Sequence, residues 1–202
     1  MGSTANHNVS VSGGSDKVNF YSYVGYNKQT TIARENGGAY DRINTQISMD
    51  AKLADRLLLS SSFNYIGELR DFTSMNLGHS NFYNSLYESD PKYPLTLPDP
   101  TMLSYAGTST GNAVFVSNRG LAGYSRNTNK SLRLNSSLTY DFKNIQELKA
   151  KAFINYNSGT GFSKIFRKQP DFYSYRAATD EYIFERKSAN PTMLYLGTSN
   201  SS

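Results

Sequence analysis

From Arg42 to Leu53 the chain alternates strictly between apolar and polar residues. Ile43, Thr45, Ile47, Met49, Ala51 and Leu53 fall on one side, and Arg42, Asn44, Gln46, Ser48, Asp50 and Lys52 on the other. A β-strand sends successive side chains to opposite faces, so this segment makes a strand with one apolar and one hydrophilic face. A helix of the same sequence would mix the two sets around its circumference. The code recurs in Val18, Phe20, Val24 and Tyr26, and again in Leu57, Leu59, Phe63 and Tyr65. Leu132, Leu134, Leu138, Tyr140 and Phe142 alternate with Ser131, Arg133, Asn135, Thr139 and Asp141. Leu148, Ala150, Ala152, Ile154 and Tyr156 alternate with Glu147, Lys149, Lys151, Asn155 and Asn157. A shorter stretch runs through Val9 and Val11. The pattern predicts six strands, near 6–14, 17–29, 40–54, 57–69, 130–142 and 147–159. Phe162 to Phe166 and Tyr182 to Phe184 are further candidate strands, and Gly197 to Ser202 reads as a loop.

Strand length and connection length narrow the fold class. Globular strands average roughly 5–6 residues, whereas strands crossing a bilayer need about 9–11, and most of these are of the longer kind. Gly13-Gly14-Ser15-Asp16 is a tight turn, and 30–39, with Asn36-Gly37-Gly38, is longer. Ala54-Asp55-Arg56 is short, 70–129 is very long, and Lys143-Asn144-Ile145-Gln146 is short again. Outer-membrane barrels alternate short periplasmic turns with longer extracellular loops in this way. Aromatics on the apolar faces sit toward strand ends, as Phe20, Tyr26, Phe63, Tyr65, Tyr140, Phe142 and Tyr156 do, where barrels carry interfacial girdles. The expectation is an all-β chain: an antiparallel up-and-down transmembrane β-barrel segment, a partial barrel of about six to eight strands, with long extracellular loops. Polar positions such as Asn44, Gln46, Ser48 and Asp50 would look into a wet lumen or onto a plug, and apolar ones would touch outer-membrane lipid.

Composition agrees. Among 202 residues there are 16 Tyr and 11 Phe, too many for a disordered chain, and mean hydropathy is −0.56. No run approaches the roughly 18 apolar residues of a spanning helix, and Met1-Gly2-Ser3-Thr4 lacks the pattern of a signal peptide. The net charge of +5 comes from bases scattered singly, as at Lys28, Arg34, Arg42, Lys52 and Arg56. Nucleic-acid binding wants a clustered stripe instead. Cysteine is absent, which excludes disulfides, thiol nucleophiles, Cys-ligated zinc and a lipoprotein anchor on this chain.

Signals for chemistry are weak. Gly107-Thr108-Ser109-Thr110-Gly111 matches the G-x-S-x-G of a nucleophile elbow, which needs a strand before it and a helix after it. Asn112-Ala113-Val114-Phe115-Val116 follows and reads as strand or loop. The only histidines, His7 and His79, come before the serine, where the base should follow it. Asp90 and Asp99 lack calcium-loop spacing. No enzyme, metal or cofactor is expected. Within 70–129, Asn81 to Glu88 predicts a short helix, and Pro91, Pro94, Pro98 and Pro100 then forbid regular structure. So long a loop is usually functional. Its aromatics Phe82, Tyr83, Tyr87, Tyr93 and Tyr105 are the candidate substrate or partner contacts. The competing reading is that they pack the loop onto itself.

The first 70 residues resemble the start of the barrel in SusC/RagA-type TonB-dependent transporters. The residues that carry this are Asn6-His7-Asn8-Val9-Ser10-Val11-Ser12-Gly13-Gly14, Lys17-Val18-Asn19-Phe20-Tyr21, Val24-Gly25-Tyr26-Asn27 and Tyr40-Asp41-Arg42-Ile43-Asn44. Ser22-Tyr23 stands one or two positions from the family's usual Ser. Leu86 to Pro98 resembles the family's proline-rich loop more loosely, and beyond about residue 145 the match is generic. The resemblance implies a 22-stranded barrel filled by an N-terminal plug. It also implies a SusD-like surface lipoprotein as lid and uptake of glycans or peptides across the Gram-negative outer membrane, driven by the TonB complex. No plug or TonB box is visible in 1–202, so the chain is expected to be a barrel fragment that is insoluble without detergent. The alternatives are a complete small outer-membrane barrel with an adhesive or structural role, and a soluble carbohydrate-binding β-sandwich.

Overall fold

The computed structural model describes residues 2–33, 36–75, 81–107, 111–143, 148–187 and 191–201. In chain order the elements are β1 (Thr4–Gly14), β2 (Val18–Thr30), β3 (Gly38–Ala54), β4 (Leu57–Thr73), α1 (Asn81–Tyr87), β5 (Leu103–Ser104), α2 (Ala113–Ser117) and α3 (Arg119–Ala122). Then follow β6 (Gly123–Asp141), β7 (Lys149–Arg167), β8 (Asp171–Arg176), β9 (Glu181–Lys187) and β10 (Met193–Ser201). Strand takes 66% of the described residues against 8% helix, so the all-β expectation holds.

Seven strands form one antiparallel sheet in the order β1-β2-β3-β4-β6-β7-β10. Its edges, β1 and β10, do not pair with each other, and the sheet is open rather than closed into a barrel. The six predicted strands are all present, and several run on toward one end. β4 continues to Thr73, β6 starts at Gly123 and β7 reaches Arg167. Two expectations are corrected. Phe162 to Phe166 is the end of β7 rather than a separate strand, and Gly197 to Ser201 is strand, not loop, paired along β7 from Ser163 to Gly159.

Register turns the alternation into two chemically distinct faces. One row across the sheet is Val11, Ser22, Ile47, Phe63, Leu134 and Tyr156, and the next toward the short turns is Gly13, Phe20, Met49, Ser61, Ser136 and Ile154. On the opposite face a row reads Ser12, Tyr21, Ser48, Ser62, Asn135 and Asn155. The apolar face is open: Val9 is 69% exposed and Ile47 46%. Two serines within it, Ser61 and Ser136, satisfy each other through a 2.9 Å hydroxyl contact.

The short connections 15–17 and 55–56 lie at one end of the sheet, as does 142–148. At the other end lie 31–37, 74–122 and 168–192. The strict short/long order therefore holds for the two great excursions, whereas 31–37 and 142–148 are equal in length. Glycines shape the long-loop end. Gly38 (φ 116°) and Gly123 (φ 92°) open β3 and β6 with backbones only glycine adopts readily. A Cβ on Gly123 would collide with the Phe166 carbonyl.

The buried core is not in the large sheet. Among the described residues, Ala51 is the only buried apolar residue that the sheet contributes. The core lies where the described parts of 74–122 and 168–192 fold together into a cap. Met75, Phe115, Val116, Ala122 and Phe172 are sealed there, with Leu103, Tyr105 and Leu121 packed against them. Phe115 meets Phe172 edge to face at 5.3 Å. β5 pairs in parallel with β8, and β8 pairs with β9 in a second, three-stranded sheet. The 70–129 stretch is thus structured at both ends and in part between them. The segment 112–116, expected as strand or loop, instead gives α2 with Asn112 as its cap. The Asn112 Oδ1 accepts the Phe115 N–H at 2.9 Å.

Candidate functional site

The cap contains most of the aromatics that the sequence singles out, and it sorts them into two groups. Helix α1 turns Ser85 inward and presents Tyr83 and Tyr87 outward, with Tyr87 85% exposed. Phe82 lies on the same helix, and its side chain falls outside the described residues. Tyr93 and Tyr105 come together, ring edge to face at 5.0 Å. Tyr105 also packs on the cap core, and its backbone N–H donates to the Tyr173 carbonyl at 2.8 Å. The Tyr93 ring carries the Lys92 ammonium 5.0 Å from its centre. Lys92 is held there by Asp90, with Nζ 3.1 Å from the carboxylate. The Lys92 backbone N–H, and then its side chain, hold the Asp90 carboxyl below its ordinary value.

Other aromatics escape the sequence reading. Tyr175 and Tyr182 lie 5.1 Å apart with their rings tilted at 44°, and Tyr173 meets Phe184 at 5.9 Å. The Tyr182 hydroxyl accepts the Asp99 N–H at 3.0 Å, which pins the proline-rich segment to β9. The Tyr175 hydroxyl donates to Asp180 at 2.8 Å, and that bond raises its phenol above the ordinary value. The alternation Phe172-Tyr173-Ser174-Tyr175 followed by Tyr182-Ile183-Phe184 is the signal that predicts such a hairpin.

A second candidate surface lies on the polar face. A concavity of about 560 Å³ is lined there by Ser48 and Asp50 of β3, Ser60 and Ser62 of β4, Asn135 and Ser137 of β6, and Lys151, Phe153 and Asn155 of β7. Hydroxyls and amides, one cation, one anion and one exposed ring suit a neutral polar ligand of the sugar or peptide kind. Asn135 Nδ2 donates to Ser62 Oγ at 3.2 Å, so the lining is partly pre-ordered. The lining of this surface contains no histidine. No group of three metal-ligating side chains occurs among the described residues. Ser109 of the G-x-S-x-G match and His79 lie outside the described residues. The segment after the match is the buried helix α2.

Comparison with protein-family models returns no match, and comparison with curated proteins returns none either.

Proposed function

We propose that this chain is a barrel-wall segment of a SusC-like TonB-dependent transporter that imports glycans or peptides across the outer membrane. One observation carries the reading: a seven-stranded antiparallel sheet gathers most of its large apolar side chains on one open face and most of its Ser, Asn and Gln on the other. In water such a face is a liability. Against lipid it is the expected surface of a barrel, with the polar face lining a wet lumen. The dimensions agree. The apolar rows run from Leu57 to Gly67 on β4, about 33 Å at roughly 3.3 Å per residue, or about 25 Å for strands tilted by some 40°. The ladder edges of β1 and β10 are where neighbouring barrel strands would pair. The cap stands at the end with the long connections, the extracellular end of an outer-membrane barrel. There α1 and Tyr93 would meet substrate or a lipoprotein lid.

Fractionation of the source cells, with an antibody raised to residues 70–129, tests the wall assignment. The expected result is an outer-membrane band several times larger than 22.5 kDa that shifts on boiling. A soluble band of 22.5 kDa would overturn it, and an outer-membrane band of that size would favour a small complete barrel. Uptake assays on the alanine variants of Tyr83, Tyr87 and Tyr93 test the substrate or lid contact. Unchanged uptake at normal expression removes it.

A further inference from the structure

Toward the long-loop end the apolar face changes character. Beyond Leu132 the same face of β6 carries Lys130, Thr128, Arg126 and Tyr124, opposite Thr160, Phe162, Lys164 and Phe166 of β7. Arg126 and Lys164 are direct cross-strand partners, an arrangement in which like charges repel. Both lie against one ring: Arg126 Cζ is 5.6 Å and Lys164 Nζ 5.7 Å from the centre of Tyr124.

Acidic compensation falls short. Arg126 reaches Asp71 at 2.7 Å, but Arg119 of α3 reaches the same carboxylate oxygen at 2.8 Å, so one anion serves two guanidinium groups. Among the described residues neither Lys164 nor Lys130 has a carboxylate within ion-pair distance. Immediately beside and below this charge the surface is apolar and open: Phe162 on β7, Leu194 and Leu196 on β10, then Leu134 and Tyr156.

We propose that Arg126 and Lys164 form a headgroup site for a phosphate-bearing anionic lipid, with Lys130 as its lower cation. The acyl chains would lie along Phe162 and the apolar rows beneath. A free anion would use only the cations, whereas a lipid uses both the charge and the adjoining open apolar surface, so the charge pattern commits to the lipid. A headgroup phosphate between the two cations removes their mutual repulsion, and Tyr124 sits at the depth where a half-wet ring is favoured. The inference rests on the bilayer reading of the apolar face.

Native mass spectrometry of the purified chain in neutral detergent tests it, with phosphatidylglycerol or phosphatidylcholine added. The expected result is preferential retention of the anionic lipid. Lys164→Gln should lower that retention by about fivefold, the effect of one basic residue near an anionic membrane surface. Arg126→Gln should do the same while Arg119 keeps Asp71 paired. Lys28→Gln, three strands away on the same face, should leave it unchanged, and boiling-dependent gel migration shows which variants are folded. Equal retention of the two lipids, an unaffected Lys164→Gln variant, or full displacement by excess inorganic phosphate would each overturn the site. A chain that stays monodisperse without detergent and takes up no lipid overturns the bilayer reading as well. One that enters micelles without discriminating between lipids overturns the headgroup site alone.

Discussion

In the cap, Phe115 and Phe172 are wholly sealed and meet ring to ring, and helix, strand and proline-rich segment close around them. In the sheet, Phe20, Ile47 and Ile154 stand open on a surface that nothing covers. The same kinds of side chain therefore do different work in the two regions. The cap carries its own water-excluded core, and its stability comes from burial within the chain. The sheet is held by ladder hydrogen bonds and cross-strand contacts. Its apolar face gains burial only from a medium outside the chain, which is why the two regions should respond differently to mutation and to solvent.

The largest expected effect breaks the cap alone. Phe115→Ala opens a cavity against Phe172 and should cost about 3–5 kcal/mol, the range for a deeply buried aromatic. Amide exchange should then accelerate at Val116, Phe172 and Tyr173, while β3 and β4 around Ile47 and Phe63 keep their protection. Equal loss in both regions would show that they are one cooperative unit. Next in size is a pair of neighbours on β3. Ile47→Arg places a charge in the middle of the apolar rows, and Ser48→Arg places one on the polar face. In bilayer refolding the first should cost about 2–4 kcal/mol and the second close to nothing, as for lipid-facing and lumen-facing positions of a barrel. Equal costs for the two would count against lipid contact.

The sheet was legible in the sequence wherever its faces differ chemically, and illegible where they do not. Over 124–129 one face reads Tyr124, Arg126, Thr128 and the other Ser125, Asn127, Asn129, so alternation gives no signal. Pairing with β4 from Leu69 to Thr73 makes the strand there. At Ser158-Gly159-Thr160-Gly161 the apolar row is interrupted, which splits β7 in two when it is read by pattern, although its ladder to β6 runs unbroken. β10 ends in small polar residues that resemble a loop, and only its partner strand orders them. Helix α2 is the reverse case. Val114, Phe115 and Val116 have strand propensity, and tertiary burial with an asparagine cap overrides it. The candidate site divides in the same way. The aromatics of 70–129 could be named from sequence, but which of them face outward depends on which are drawn into the cap core. The polar concavity was legible only in part: alternation puts Ser48 and Asp50 on the polar face, but Ser60 and Ser62 join Ser137 and Asn135 only through strand pairing.

A smaller effect tests what holds the cap together besides its apolar core. Asn112 is buried, caps α2, and donates Nδ2 to the Ser104 carbonyl at 2.8 Å and to the Leu95 carbonyl at 3.1 Å. Asn112→Ala loses the cap and leaves two carbonyls short of a donor, about 2–3 kcal/mol together. Asn112→Asp restores the cap oxygen but not the donors, so it should recover only part of the loss in denaturant unfolding of the cap. Full recovery would assign the whole effect to the helix cap.

The smallest effect is a titration confined to the cap. Asp90 accepts the Lys92 N–H at 3.1 Å and pairs with its ammonium, and Asp99 is held by the Thr101 hydroxyl and N–H. Both carboxyls lie below the ordinary value of 3.8. A carboxyl depressed in the folded state stabilises it fully above the unfolded value, and that contribution disappears as pH falls through the folded value. The proline-rich segment should therefore be indifferent to pH from neutrality down to the ordinary carboxylate range and loosen only below it. Both groups are exposed, so the change should be local: carboxyl carbon resonances with midpoints under 3.8, and shifts at the Lys92 and Thr101 amides that Asp90→Asn and Asp99→Asn remove one at a time. The Phe115–Phe172 core should stay protected through that titration. If it opens at the same midpoint, these exposed turns are coupled to the core, and the cap is held by its surface as much as by its interior.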